Sequence, residues 1–175
     1  MTLERQNVVV IVGAVIAFIL QIVVAPVITL LSAQPNFLLA YVLAVAIACP
    51  QAQGPVMPFI LGLLYDLTGT GPVGGMALLF VVSTLAASRA FSVLDNDTLF
   101  MPVAIFAVVA LVTEFVYGIL LTSFGIAASP IEALLDRALP CALFDCVVGI
   151  VVYPIMVRLT AEGSQDRGLR TPRLR

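Results

Sequence analysis

The sequence predicts an all-α fold, a polytopic membrane bundle of about six transmembrane helices. Three observations carry that reading. Hydrophobic residues make up 62% of the chain and charged residues only 10%, against about 25% charged in a soluble domain; the mean hydropathy is +1.17. The apolar residues come in runs suited to helices at membrane depth, punctuated by Pro, Gly and short polar groups. The arginines also fall almost entirely on one side once those runs are threaded back and forth across a bilayer.

The elements follow in chain order. Arg5 precedes an apolar run from Val8 to Leu31, which is longer than the roughly 7–15 residues of a signal-peptide core. No small-x-small cleavage site closes it, so it reads as a retained first span with Pro26 kinking its far end. Gly13, Ala17 and Ala25 recur along it at multiples of four, with Gln21 between them. A small-residue stripe lets helices approach, and a glutamine can hydrogen-bond across it. The second and third spans, Phe37–Cys49 and Val56–Leu67, are short. The uncharged segment Pro50–Pro55 joins them, which leaves open a re-entrant pair, since irregular backbone is tolerated at membrane depth where protein or water shields it. Gly74–Phe91 is the fourth span, with Ala86 and Ala90 repeating the small-residue spacing; Leu99–Thr122 is the fifth and Leu139–Leu159 the sixth. The chain turns polar after Ala161. The expected organisation is a single transmembrane domain over 1–160 and a polar, Arg-rich cytoplasmic tail over 161–175, placed to touch anionic lipid headgroups.

With six spans the two termini share one side. Arg5, Arg89, Arg158, Arg167, Arg170, Arg173 and Arg175 lie on it, and Arg137, beside Asp136, lies opposite. The positive-inside bias then puts both termini in the cytoplasm. Merging spans two and three into a single crossing would destroy that asymmetry, whereas a re-entrant pair would keep it.

Several function classes find no support. The chain has no His, no Trp and no Lys, and Cys49, Cys141 and Cys146 sit in apolar segments without a CxxC pair. They read as small buried hydrophobes rather than metal ligands. There is no nucleophile elbow, and no glycine-rich loop ends in Lys-Ser/Thr. No catalytic residue, metal or cofactor is expected. The net charge is −2 and the only basic cluster is the tail, so no nucleic acid is expected either.

Two carboxylates, Glu114 and Asp145, fall inside spans five and six. Counted from the outer end of span five and the outer start of span six, each lies about 9–12 Å deep, so they can share a level. Charged groups at that depth usually face the protein interior. The plainer reading is a hydrogen-bonded contact between helices. The alternatives are a proton or cation pathway and a ligand contact.

The densest local signal is the run Phe59–Gly75, where an apolar helix ends in Leu64-Tyr65-Asp66 and a Thr/Gly/Pro hinge leads into Gly74-Gly75. Half of the 12 glycines lie between Gly54 and Gly75, so the backbone here needs freedom that a plain helical hairpin does not. Asp66 reads as a local polar stop bonded to the N–H groups of the Thr68–Gly71 turn, or else as part of a partner- or ligand-binding corner with Gly71, Pro72 and Gly74. Gly74 and Gly75 are candidates for close helix approach.

An ordered set of motifs resembles the rod-shape-determining MreD family. Gln34-Pro35-Asn36-Phe37-Leu38-Leu39 is similar to its Pro-rich helix entry. Gly62-Leu63-Leu64-Tyr65-Asp66-Leu67 followed by Pro72-Val73-Gly74 resembles its most recognisable motif, and Val152-Tyr153-Pro154-Ile155-Met156-Val157-Arg158-Leu159 its final helix. Gly69, Gly71, Gly75, Glu114 and the Arg-rich tail depart from the pattern. The resemblance implies a non-enzymatic scaffold of the cell-elongation machinery in the bacterial cytoplasmic membrane, which controls cell shape and peptidoglycan synthesis. It further implies binding to MreC, in association with MreB, RodA and a class B penicillin-binding transpeptidase. That family is similar in fold to the substrate-binding subunits of energy-coupling-factor transporters, which supplies the alternative of a subunit that binds a small, vitamin-like molecule.

Overall fold

The computed structural model describes residues 3–29, 33–49, 54–69, 71–94, 100–126, 129, 131, 135 and 138–165. The expectations for Pro50–Gln53, Asp136, Arg137 and the tail arginines fall outside them. Six helices are described: α1 (Leu3–Val23), α2 (Phe37–Ala48), α3 (Val56–Thr68), α4 (Gly75–Val93), α5 (Phe100–Ser123) and α6 (Leu139–Gln165). Four of these, α1, α4, α5 and α6, are long and apolar enough to cross a membrane. The 12 residues of α2 and 13 of α3 rise only about 18–20 Å, short of a hydrocarbon core of about 30 Å.

Two boundaries differ from the sequence reading. α1 stops at Val23 instead of running through a kink to Leu31. Pro26 lacks an N–H and disfavours helical backbone before it. The chain folds into a turn instead, in which Val27 and Ile28 both donate to the carbonyl of Val24. At the other end α6 continues as helix to Gln165, so the polar residues from Ala161 to Gln165 extend the last helix.

The core is built around α2. Its residues Leu38 to Ile47 are all buried, enclosed by the other five helices. The sequence Phe-Leu-Leu-Ala-Tyr-Val-Leu-Ala-Val-Ala-Ile-Ala has no polar face to offer water, as expected of a helix covered on every side. α1 lies at the periphery with Ile11, Val12, Val15, Ile16 and Ile19 exposed; Ala14, Ala17 and Gln21 form its buried edge. A side chain at Gly13 would strike the ring of Tyr41, whose hydroxyl donates to the carbonyl of Val10 at 2.6 Å.

Neighbouring helices alternate in direction. Moving forward along α2, Pro35 meets Gln21 and Tyr41 meets Val10. The C-terminal ends of α1, α3 and α5 therefore gather with the N-terminal ends of α2, α4 and α6 at the distal end of the bundle; the N-terminal end of α1 and the C-terminal end of α6 lie at the other, proximal end. Arg89 and Arg158 are exposed in the proximal half. α4 buries Met76, Ala77, Phe80, Ser83, Thr84 and Ala87, whereas Ala86 is exposed and Ala90 half-buried. The second small-residue repeat is therefore not an interface within the bundle.

Candidate functional site

The buried polar residues of the bundle collect in its distal half, beginning where α2 starts. The first turn of any helix leaves N–H groups without intrahelical acceptors, and at α2 this occurs against apolar packing. Asn36 is fully buried and caps its own helix, its Oδ1 accepting from the Leu39 N–H at 3.0 Å. The backbone N–H of Asn36 donates to Asp145 Oδ1 at 2.7 Å. Its side-chain Nδ2 donates to Glu114 Oε1 at 3.0 Å. Glu114 and Asp145 are 1% and 0% exposed, and between them they bring acidic groups from α5 and α6 to the positive end of the α2 dipole. The two carboxylates that the sequence places at one level thus meet on a third residue. Asp145 Oδ2 has no hydrogen-bond partner among the described residues.

Gln21 extends this layer to α1. It is buried, and its Nε2 donates to the carbonyl of Pro35 at 3.4 Å, one residue before the cap. A cavity of about 340 Å³ opens beside it, lined by Gln21, Gln34, Tyr65, Thr68 and Gly69 among others.

The α3–α4 corner is a second construction. Asp66 is 2% exposed and takes three backbone N–H groups at the start of α4: Oδ2 accepts from Gly74 at 2.8 Å and Ala77 at 3.2 Å, and Oδ1 from Met76 at 3.2 Å. The sequence reading assigns these donors to the Thr68–Gly71 turn instead. The carboxylate reaches past that turn because the N–H groups that need an acceptor are those opening α4. Pro72 to Gly75 form a tight turn closed by the Gly75 N–H on the Pro72 carbonyl at 3.2 Å. Gly74 is its third residue at φ +98°, a conformation that glycine adopts without strain.

That changes the role expected of Gly74. No atom lies within 4 Å of where its side chain would start, so it serves the backbone bend and not a close approach. The close approach falls at Gly62, where a Cβ would lie 2.6–2.8 Å from backbone atoms of Met76 and Ala77. Gly71 faces the end of a side chain instead, the Tyr117 hydroxyl of α5, and the Tyr117 ring meets Tyr65 edge-on at 6.3 Å.

Of the residues singled out from sequence, Glu114, Asp145 and Gln21 belong to the α2 layer, and Asp66, Gly71, Pro72 and Gly74 to the corner. Asn36 and Gly62 are site residues that the sequence reading does not single out. Asn36 carried a usable signal, since an asparagine immediately before an apolar run is a favoured helix cap. Gly62 had only its place beside Asp66 in the motif.

Comparison with known proteins agrees with the family resemblance read from the sequence. No curated protein sequence and no solved structure matches the chain. The family model described as rod shape-determining protein MreD matches residues 3–162, a span that takes in both the α2 layer and the Asp66 corner. The chain belongs to the MreD family, whose role is in rod-shape determination.

Proposed function

We propose that this protein is a non-enzymatic scaffold of the bacterial elongation machinery. It is embedded through six segments with both termini cytoplasmic, and it binds MreC and through it helps to control peptidoglycan synthesis. MreB, RodA and a class B transpeptidase are the wider assembly. The observation that carries this reading is the use made of the buried carboxylates. Glu114 and Asp145 bond Asn36, and Asp66 bonds the start of α4, so the acidic groups that would serve a carrier are employed in holding helix ends. The arginines support the orientation, with Arg89 and Arg158 in the half of the bundle that holds the start of α1 and the end of α6. Co-purification from native membranes tests it: MreC is expected with the protein, without any ATPase subunit. Recovery of an ATPase module in place of MreC would sink the proposal.

A second reading has one observation in its favour. The 340 Å³ cavity beside Gln21, Gln34 and Thr68 has the size and mixed polarity of a small-molecule site, as in the energy-coupling-factor subunits that the fold is proposed to resemble. A bound vitamin-sized molecule in mass spectra of the purified protein would promote this reading.

A further inference from the structure

A groove of about 470 Å³ runs between α1 and α6 with α2 as its floor. Its walls are Val8, Val12 and Ile16 on α1 and Val151, Ile155 and Leu159 on α6, and Phe37 and Tyr41 form the floor. All of these residues belong to described helices, and among the described residues no polar side chain other than the Tyr41 phenol borders the groove. That phenol is engaged by the Val10 carbonyl.

We propose that this groove holds one acyl chain of an anionic phospholipid from the leaflet on the side of Arg158 and the C-terminal end of α6. Three features support that occupant. The first is length. From Val8 to Leu20 on α1, or Val148 to Leu159 on α6, the groove runs about 17 Å, close to the roughly 15 Å that one leaflet contributes to the hydrocarbon core. The second is girth. A single hydrocarbon chain roughly 5 Å across needs roughly 330 Å³ over that length, given carbon contacts of about 3.5–4.0 Å, and the groove of about 470 Å³ accommodates it. The third is charge. Arg158, exposed, directly precedes Leu159 at the end of the groove that Val8 and Leu159 line, where the headgroup of that leaflet would lie. Basic residues at this level attract anionic headgroups. Such a site depends on the chain sitting in a bilayer and not on its protein partners.

Spin-label spectroscopy tests it. The full chain is reconstituted in phosphatidylcholine vesicles containing phosphatidylglycerol labelled near the end of one acyl chain. The motionally restricted fraction is then compared among the parent, Ile16→Phe, Val151→Phe and Arg158→Gln. Ile16 and Val151 are both more than half exposed, so larger side chains there fill the groove without entering the core; circular dichroism checks that the helices persist. Each filling variant should lose at least half of the restricted signal seen in excess over labelled phosphatidylcholine. Arg158→Gln should bring the preference for phosphatidylglycerol over phosphatidylcholine close to one. An unchanged restricted fraction in both filling variants would mean ordinary lipid around the bundle and would overturn the groove. An unchanged preference in Arg158→Gln would overturn the headgroup assignment. If the filling variants instead lose self-association or a protein partner in cross-linking, with lipid unaffected, the occupant is a helix and the proposal fails.

Discussion

The backbone N–H of Asn36 and the carboxylate of Asp145 are 109 residues apart in the chain and 2.7 Å apart in the bundle. Their bond ties the first turn of the innermost helix to the last helix. Glu114 ties the same asparagine to α5, so one residue gathers three helices at a depth where water offers no substitute partner.

The α2 layer should tolerate loss of charge and resist loss of acceptors. Glu114→Gln and Asp145→Asn each keep an oxygen for Asn36. In the second variant the introduced amide nitrogen takes the place of Oδ2, which has no described partner. Glu114→Leu and Asp145→Leu leave a buried donor bare, at a cost of about 1–3 kcal/mol. Thermal unfolding in detergent should show both leucine variants well below parent and both amides near it. Equal loss in the amide and leucine forms would show that charge, not acceptor geometry, is what matters.

Asp66 is expected to be less forgiving. Both of its oxygens accept from the start of α4, so Asp66→Asn turns an N–H donor toward another donor, and Asp66→Ala bares the buried N–H groups of Met76 and Ala77. A cost of about 1–3 kcal/mol for each bare donor makes the alanine variant the poorer of the two and both worse than Asp145→Asn. Limited proteolysis near the 69–74 turn, with melting temperature alongside, checks the order. An Asp66→Asn protein as stable as parent would refute the two-oxygen clamp.

Three glycines separate two kinds of constraint. Gly74→Asn should be mild, because asparagine tolerates left-handed backbone, while Gly74→Val adds a strain of about 1–2 kcal/mol. Gly62→Ala should be damaging for the opposite reason: space, not dihedral angle, forbids it, because the Cβ meets backbone; Gly71→Ala meets the end of the Tyr117 side chain, which can turn aside, and should cost less. Overpacking of this kind typically costs about 1–3 kcal/mol. Differential scanning in detergent ranks the four variants; if Gly62→Ala melts with the parent, the α3–α4 contact has room that the structure does not show.

Topology can be read with single cysteines. In a background with Cys49, Cys141 and Cys146 replaced by alanine, Ser164→Cys at the end of α6 should react with a membrane-impermeant maleimide only after the cells are opened. Phe124→Cys, exposed just past α5, should react in intact cells. The reverse pattern would invert the proposed orientation.

Much of this arrangement could be read from residue order. Proline, glycine and polar breaks mark the helices to within a few residues, apart from the end of α1, where Pro26 stops the helix and does not kink it, and the end of α6, which runs on to Gln165. In a membrane protein, however, hydrophobicity no longer separates inside from outside, because lipid accepts a leucine as readily as the core does. Nothing in Phe37–Ala48 announces that α2 is enclosed while α1, also strongly apolar, is mostly exposed. Glu114 and Asp145 stand out for their rarity, but their partner is invisible to pattern, since half of the interaction is a backbone N–H far away in sequence. Glycines pose the same difficulty: Gly62 and Gly74 look alike as letters, yet one answers to a neighbouring helix and the other to its own φ.

The bond between Asn36 and Asp145 also imposes a timetable on synthesis. The second helix emerges from the ribosome early, but the acceptor for its leading N–H is made almost last. Until residues 139–165 have entered the bilayer, α2 has a polar end and an uncovered flank, and the nascent protein is exposed to the proteases that survey membranes. Completion of the C-terminal helix is the step that licenses the fold, so nonsense or frameshift lesions anywhere before α6 should clear the protein from the cell rather than leave a shortened, partly working one.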